Sequence, residues 1–379
     1  MADLQDQLNA PTEAGELDRP ASFAEYPAPP SPPSPSSPSS SSPASSPSSS
    51  PSATDTPEPA AARDLLALHP VADGYCGLPG ALRTLPYYDL ELGESSVEAD
   101  LPRLRAGGTG ALLWAVDVSA DRPVTSALEQ IDLVNHVVAR YPEGLRLARS
   151  ASETADARAH GRIAVLIGPA PGAAVGDSLG TLRALHGLGL RALTLSGTSW
   201  APDTGLTPFG EEVVREMNRL GMLVDLTGAS EATATRALAV SKAPTMLTRS
   251  GARALNGHPD NLSDELLAAL GASKGLCLVP CSAARTGPAL RDVADHIDHV
   301  HRVAGPESVG LSGMYDTGDA HPEGLTSVTD YPALVAELLD RGWSEADLAL
   351  LTWGNVQRVL RGAEFTARAT RHRRGPATA

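Results

Sequence analysis

The chain has 379 residues, of which 42% are hydrophobic and 20% charged, so it has enough apolar material for a core and too few charges for a wholly disordered polypeptide. Its 30 basic and 45 acidic residues give a formal net charge of −15, which repels a phosphate backbone and excludes an obvious nucleic-acid partner. The sequence shows no run of roughly 20 apolar residues and no basic start followed by an apolar run, so we expect a cytoplasmic protein with no membrane partner.

The N-terminal part of the chain is predicted to be a disordered arm, residues 1–61. Every residue from 27 to 53 is Pro, Ser or Ala, a composition that buries nothing and favours extended, solvated backbone. The rest divides into a folded domain, residues 62–365, and a flexible tail, residues 366–379. The tail carries the basic cluster Arg371-His372-Arg373-Arg374, which we interpret as a solvated chain end.

The folded domain repeats one pattern, in which a short apolar, β-prone run precedes a stretch with apolar residues every three or four positions. The predicted strands are 71–72, 111–118, 163–167, 192–195, 223–226, 245–247, 276–279 and 309–311. The predicted helices include 126–141, 178–188, 211–220, 231–240, 263–270 and 289–303. Strands that alternate with helices in this number indicate an α/β fold, a (β/α)8 TIM barrel. A doubly wound sheet is the alternative, but residues 73–77 (DGYCG) lack its glycine fingerprint.

Chemistry in such a barrel is expected at the carboxyl ends of the strands. The residues that follow the predicted strands are 73–77, 117, 119, 168–173, 196–200, 227–230, 248–253, 280–281 and 312–316. A hydrolytic metal site needs several imidazoles and carboxylates at about 2.0 to 2.2 Å from the ion. None of these positions is a histidine.

Several blocks of the sequence match one known family in order. They are 69–74 (HPVADG), 100–108 (DLPRLRAGG), 178–185 (SLGTLRAL), 208–210 (PFG), 214–222 (VREMNRLGM), 331–334 (YPAL), 341–344 (RGWS) and 354–356 (GNV). From about residue 69 to 360 the chain resembles the renal or membrane dipeptidase family, peptidase family M19. The resemblance implies a barrel of the metallo-dependent hydrolase type, whose members use two zinc ions to hydrolyse dipeptides.

The resemblance also implies that this chain is a degenerate member of the family. Tyr75 and Gly77 stand where the family has a histidine and an aspartate that bind metal, and Ala170 stands in place of the bridging glutamate. Three further histidines of the family are replaced by Ala173, Gly228 and Arg249. Met314 replaces the catalytic aspartate. Without the imidazoles and the bridging carboxylate, a site lacks both the charge and the geometry that hold zinc. We therefore expect no metal cofactor and no catalytic residues.

Two arginines and two aspartates are the candidate ligand-binding residues. The family counterpart of Arg253 lies beside the carboxylate of the substrate, so Arg253 is predicted to bind an anion or, alternatively, to form a structural ion pair. Arg249 replaces a neutral metal ligand with a cation and is predicted to pair with Asp73 or Asp316. The alternative for Arg249 is a side chain that points to solvent.

The other candidate groups favour structural roles. Cys76 and Cys281 follow strands, but cysteine is often buried as a small apolar residue, and three cysteines cannot form a closed disulfide framework. His296, His299 and His301 have metal-like spacing, yet they fall on a predicted outer helix. We interpret them as surface or packing residues.

The sequence therefore predicts a pseudoenzyme that binds or regulates, as a homodimer or as a heterodimer with an active relative. One alternative is a surviving dipeptidase or amide hydrolase that uses Asp73, Asp316, Cys76 or Cys281 in place of metal. Another is a sensor whose pocket accepts a dipeptide-like small molecule through Arg253.

Overall fold

The computed structural model describes residues 59–93 and 96–373. The predicted arm lies outside these residues up to position 58, and its last residues already belong to the first helix, which begins at Pro59. Ordered structure therefore begins slightly before the predicted boundary. No helix in the described part of the chain has both the length and the apolar character that a membrane span needs.

Helices and parallel strands alternate along the described chain. The helices are α1 Pro59–Leu68, α2 Leu78–Leu82, α3 Leu101–Ala106, α4 Pro123–Arg140, α5 Ala151–Ala159, α6 Leu179–Leu188, α7 Pro208–Leu220, α8 Glu231–Val240, α9 Asp264–Ala272, α10 Ala283–Thr286, α11 Leu290–Ala304, α12 Tyr331–Asp340, α13 Glu345–Ala349 and α14 Asn355–Arg373. The strands are β1 Val71–Cys76, β2 Thr109–Trp114, β3 Leu145–Leu147, β4 Ile163–Ile167, β5 Ala170–Pro171, β6 Ala192–Thr194, β7 Leu223–Asp225, β8 Thr245–Leu247, β9 Leu276–Pro280 and β10 Val309–Ser312. Each predicted strand corresponds to one of these strands.

The strands form a (β/α)8 barrel, as predicted. Strands β1, β2 and β4 pair in parallel in that order, and a second parallel sheet runs from β6 through β7, β8 and β9 to β10. The two sheets meet where Arg191 N donates to Ile167 O at 2.8 Å. Strand β5 extends the line of β4 and pairs with β6, with Ala170 opposite Leu193.

Strand β3 was not predicted, and it lies outside the ring of eight. It pairs with the first half of β4, with Leu145 opposite Ile163. The strand consists of only two leucines with an arginine between them, so it contains no extended apolar run. Such a short segment gives no periodicity signal, so only its pairing with β4 makes it a strand.

The ring closes between β1 and β10 through both backbone and side-chain bonds. Met314 N donates to Tyr75 O at 3.1 Å. The Asp73 carboxylate accepts Gly313 N at 2.7 Å and the Tyr331 hydroxyl at 2.8 Å. A buried aspartate of the first strand therefore holds the last strand and helix α12 together with it.

Several helices begin, near the carboxyl ends of the strands, with a side chain that caps their first turn. Ser178, Thr207, Ser230 and Ser263 each accept a hydrogen bond from the backbone N three residues later, at 3.3, 3.2, 3.1 and 3.4 Å respectively. Hydroxyl side chains at this position satisfy N–H groups that a helix leaves unpaired. These caps define where each strand-to-helix loop ends.

The core has an inner and an outer layer. Small and aliphatic strand residues such as Ala111, Ala164 and Leu278 form one buried cluster together with Val356 and Leu360 of α14. Alternate strand residues belong instead to the cluster that the surrounding helices cover. Helix α14 therefore packs against the interior of the barrel. Residues 366–373, predicted as part of a flexible tail, continue this helix to Arg373.

Candidate functional site

A cavity of about 830 Å³ opens at the carboxyl ends of the strands. Tyr75, Gly77, Arg249 and Met314 all line it, so the structure brings together four of the seven positions where the family ligands were predicted to be replaced. Ala170 is fully buried beneath the mouth in β5. We call this cavity the mouth pocket.

Arg249 lies against an aromatic ring inside the mouth pocket. Its guanidinium carbon is 4.2 Å from the centroid of the Tyr75 ring, within the range of a cation–π contact. Its Nη1 donates to Thr248 Oγ1 at 3.1 Å and lies 4.0 Å from Asp225 Oδ2. The side chain is only 21% exposed, so it does not simply point to solvent.

The predicted pairing of Arg249 with Asp73 or Asp316 is not formed. Arg249 contacts Tyr75 of β1 and approaches Asp225 of β7 instead. The two predicted aspartates are occupied by other donors, as described below. The predicted position of Arg249 at the carboxyl ends of the strands is correct. Which of the surrounding carboxylates it approaches could not be predicted from the sequence.

Asp225 is the centre of a buried threonine network. Its carboxylate is fully buried and accepts the hydroxyls of Thr194, Thr227 and Thr248 at 2.6, 2.7 and 2.9 Å. The backbone N of Thr227 and of Thr248 also donate to it, at 3.1 and 3.0 Å. Five donors on one carboxylate hold the ends of β6, β7 and β8 in a fixed arrangement.

Asp73 is also fully buried, at the seam between β1 and β10. Burial raises its pKa to about 6, although hydrogen bonds from Gly313, Tyr75 and Tyr331 act in the opposite direction. The carboxylate is enclosed by these donors, so it is positioned to hold the seam. It does not line the mouth pocket.

Replacement of Asp73 by Asn is expected to change how stability depends on pH. The folded-state pKa of about 6 exceeds the ordinary value of 3.8, so the folded chain binds this proton more tightly. The stabilisation is present in full below about pH 4 and is lost as pH rises through about 6. The Asn variant does not lose this contribution. As pH rises from 4 to 7, the free energy of unfolding of Asp73→Asn should therefore increase by roughly 1 to 3 kcal/mol relative to that of the parent.

Urea unfolding of both proteins across this pH range measures the effect, with Asp203→Asn, an exposed loop position, as the control. Parallel pH profiles for Asp73→Asn and the parent would show that Asp73 does not titrate in this way.

Asp316 accepts hydrogen bonds from a backbone loop and does not pair with Arg249. Its Oδ1 accepts Glu98 N at 2.7 Å and its Oδ2 accepts Ala99 N at 3.0 Å. Burial raises its pKa to about 6 as well. His321 completes the group, with Nε2 at 3.2 Å from Glu98 Oε2 and Nδ1 at 2.9 Å from Cys281 O.

Arg253 forms the alternative that the sequence left open, a structural ion pair. Its Nη1 donates to Glu231 Oε1 at 2.7 Å, and its Nε donates to Asn261 O at 3.1 Å. The side chain is 42% exposed and does not line the mouth pocket. The structure therefore does not bring Arg253 together with Arg249.

The cysteines and histidines singled out in the sequence are packing residues. Cys76 and Cys281 are fully buried and unpaired, and burial raises the pKa of both thiols well above the ordinary value. His296 and His299 are buried on α11, which confirms packing rather than surface positions. His301 stacks on Trp343 with ring centroids 4.5 Å apart.

Several polar residues of the mouth pocket were missed, and two of them come from helices rather than strand ends. Arg285 of α10 donates to Asp319 at 2.6 Å and lies 3.3 Å from Asp260. Gln130 of α4 accepts a hydrogen bond from Asp117 N, and its Nε2 is buried with no partner among the described residues. A signal for Gln130 existed, because it falls on the buried, mainly apolar face of an amphipathic helix.

The mouth pocket does not fit a pair of zinc ions. Among residues 59–93 and 96–373, no three His, Cys, Asp or Glu side chains lie close enough together to hold a metal. Tyr75, Met314 and Arg249 instead offer a phenol, a thioether and a guanidinium. A guanidinium is a permanent cation with donors only, so it repels a divalent ion rather than binding it. Whether the protein uses no metal cofactor at all stays a prediction.

Comparison with known proteins agrees with the barrel and its blocks of sequence. The family model for membrane dipeptidase (peptidase family M19) matches residues 60–374. The chain is 38% identical over 330 residues to Dipeptidase 3 of Macaca fascicularis, covering 80% of this chain and 67% of that one. It is 38% identical over 322 residues to Dipeptidase 3 of Mus musculus, covering 78% and 64%. The chain thus spans about two thirds of the length of these relatives.

The fold also matches a solved structure, that of a metallo peptidase from Rhodobacter sphaeroides liganded with a phosphinate mimic of the dipeptide L-Ala-D-Ala. The TM-score is 0.70 at 24% identity, and the match covers 78% of this chain and 99% of that one. Architecture and strand order thus define a (β/α)8 TIM barrel. Within that class, the chain belongs to the membrane dipeptidase family, peptidase family M19.

Proposed function

We propose that this family member is a non-catalytic binding protein, a pseudoenzyme whose mouth pocket takes a small ligand without hydrolysing it. The observation that carries the proposal is the position of Arg249, whose cation lies over Tyr75 in the mouth pocket, where the resemblance placed zinc ligands. A zinc-bound hydroxide needs a divalent ion held by imidazoles and carboxylates, and a fixed guanidinium in that place opposes it.

The state of the other candidate nucleophiles and bases supports the same proposal. Hydrolysis by a changed mechanism would need Asp73, Asp316, Cys76 or Cys281 to reach a substrate. Asp73 and the cysteines are fully buried. Asp316 lines the mouth pocket, but each of its carboxylate oxygens already accepts a backbone hydrogen bond, from Glu98 and Ala99. A candidate general base must lie within hydrogen-bond reach of the group that it deprotonates.

Regulation through assembly is part of this proposal. A barrel that keeps the family frame can pair with a second copy or with an active relative, as a homodimer or heterodimer. We also retain a cytoplasmic location as a proposal. Sedimentation of the chain alone and mixed with an active relative tests the pairing, and a monomer under both conditions would remove it.

Metal content and turnover test the central claim. Full-length protein, freed of metal with a chelator and then supplied with zinc, is expected to hold no stoichiometric zinc and to leave a panel of dipeptides intact. A zinc-binding member of the family, treated in parallel, serves as the positive control. Near-stoichiometric zinc accompanied by dipeptide turnover would overturn the proposal, because the site would then have to use ligands outside the predicted set.

A further inference from the structure

The guanidinium of Arg249 has a covered face and an open edge. Tyr75 covers the face at 4.2 Å. Of the donors on the edge, only Nη1 is engaged, by Thr248. Within the described chain, Nε and Nη2 of Arg249 have no hydrogen-bond partner, and the residue lines the mouth pocket. Stacking on an aromatic ring leaves the planar fork of donors available for a carboxylate.

The nearest carboxylate makes no hydrogen bond to this cation. Asp225 lies 4.0 Å from Arg249 Nη1, beyond hydrogen-bond distance, and its oxygens already accept five hydrogen bonds from threonines. By contrast, Arg285 of the same pocket is paired with both Asp319 and Asp260. Arg249 therefore has two unused donors on its edge and makes no hydrogen bond to a carboxylate among the described residues. Arg83, another arginine of the pocket, lies 3.6 Å from Glu129.

A carboxylate of the same pocket limits the charge that a ligand can carry. Asp117 lines the mouth pocket and is solvent-exposed, and its field reaches Tyr75 and Arg249. A doubly charged anion would gain from Arg249 but be repelled by Asp117. A singly charged carboxylate matches one free guanidinium edge and is repelled less strongly by Asp117.

We propose that the mouth pocket contains an anion subsite at Arg249, which takes the carboxylate of a small monocarboxylic acid, with the Tyr75 ring behind the guanidinium. This inference rests on the proposed non-catalytic function, since it assigns to a guanidinium the place that zinc ligands would need. It also separates the subsite from Arg253, whose ion pair with Glu231 lies outside the pocket.

Three probes of one shape and different charge test the subsite. Benzoate, benzamide and benzamidine are titrated calorimetrically into zinc-free, full-length protein, with phenyl phosphate added as a dianion. Benzoate is expected to bind about tenfold or more tighter than benzamide, as a charge-assisted bidentate pair requires, and benzamidine is expected not to bind. Phenyl phosphate should bind more weakly than benzoate.

Variants assign the effect to the residue. Arg249→Gln should remove the preference for benzoate over benzamide, and Arg249→Lys should retain only part of it. Asp117→Asn should raise the affinity for phenyl phosphate while leaving the fold intact, which keeps the test informative if Arg249→Gln unfolds. Arg253→Gln is the matched control, because it removes an exposed arginine outside the pocket and should leave benzoate binding unchanged.

The outcomes separate this subsite from the proposed function. Benzoate binding no tighter than benzamide, or an unchanged preference in Arg249→Gln, would overturn the subsite while a zinc-free, inactive protein would still support the pseudoenzyme. Zinc binding with dipeptide turnover would overturn the proposed function, and with it the subsite, whatever benzoate does. A preference for benzoate that is lost in Arg249→Gln and kept in Arg253→Gln supports both.

Discussion

Replacing Asp225 with Ala is expected to lower the free energy of unfolding by about 3 to 5 kcal/mol. The change removes the acceptor for five hydrogen bonds and leaves the hydroxyls of Thr194, Thr227 and Thr248 without it. It also removes the carboxylate nearest to Arg249, at 4.0 Å. Buried polar groups that lose their partner carry the full desolvation penalty, so the effect exceeds that of an average substitution.

Urea unfolding at pH 7 measures this loss, and two variants calibrate it. Asp225→Asn retains one carbonyl oxygen as an acceptor and should lose about half as much stability as Asp225→Ala. Asp203→Asn, in an exposed loop, should stay within about 0.5 kcal/mol of the parent. A loss of less than about 1 kcal/mol in Asp225→Ala would mean that the threonine network reorganises around other acceptors.

Returning the family aspartate to position 77 is expected to damage the fold rather than rebuild a metal site. A Cβ atom on Gly77 would lie 2.3 Å from Asp316 O and 2.8 Å from its carbonyl carbon. Because the obstacle is backbone, the turn that follows β10 must move before any side chain fits. Gly77→Ala should therefore cost about 2 to 4 kcal/mol, and Gly77→Asp at least as much.

Position 228 opposes reversion for a different reason. Gly228 has φ of +70°, a left-handed conformation that L side chains rarely adopt. The double change Gly228→His with Arg249→His, alone or added to Gly77→Asp, is accordingly expected not to restore zinc binding.

Unfolding of Gly77→Ala is compared with that of Gly187→Ala, since Gly187 lies in α6 with no atom near its added Cβ. The control should be neutral or more stable by up to about 1 kcal/mol. Equilibrium dialysis against zinc tests the reversion variants. Tight zinc binding by the double variant would contradict a site that has been remodelled beyond simple reversion.

The barrel was predictable because its signals are local and repeated. The run Ile163–Ile167 is fully buried and was predicted with the observed bounds, as was helix Glu231–Val240. Strand 111–118 was predicted too long, because residues 115–118 are apolar enough to extend a β pattern yet form the loop that follows Trp114. The continuation of α14 through residues 366–373 was missed because basic residues at a chain end are typical of a solvated tail.

The composition of the site was more predictable than its contacts. The barrel rule brings Tyr75, Gly77, Arg249 and Met314 to one mouth, because parallel strands end on the same side. The contact of Arg249 with Tyr75 depends on side-chain rotamers of two strands, which no spacing in the sequence records. Met314 and Asp316 both have positive φ, +59° and +60°, in the turn after β10. Aspartate adopts this conformation more often than most residue types but methionine does not, so the sequence does not predict the turn.

The hydrogen bonds between β1 and the segment after β10 also determine when the barrel can close during folding. Asp73 precedes its donor Gly313 by 240 residues and its donor Tyr331 by 258. During synthesis the first strand therefore leaves the ribosome long before the groups that satisfy its carboxylate exist. Until helix α12 has been added, burying Asp73 would leave it without these bonds, so its carboxylate stays hydrated and the ring stays open. Closure of this barrel is accordingly a late event that requires almost the whole folded domain, rather than one that an N-terminal part can accomplish.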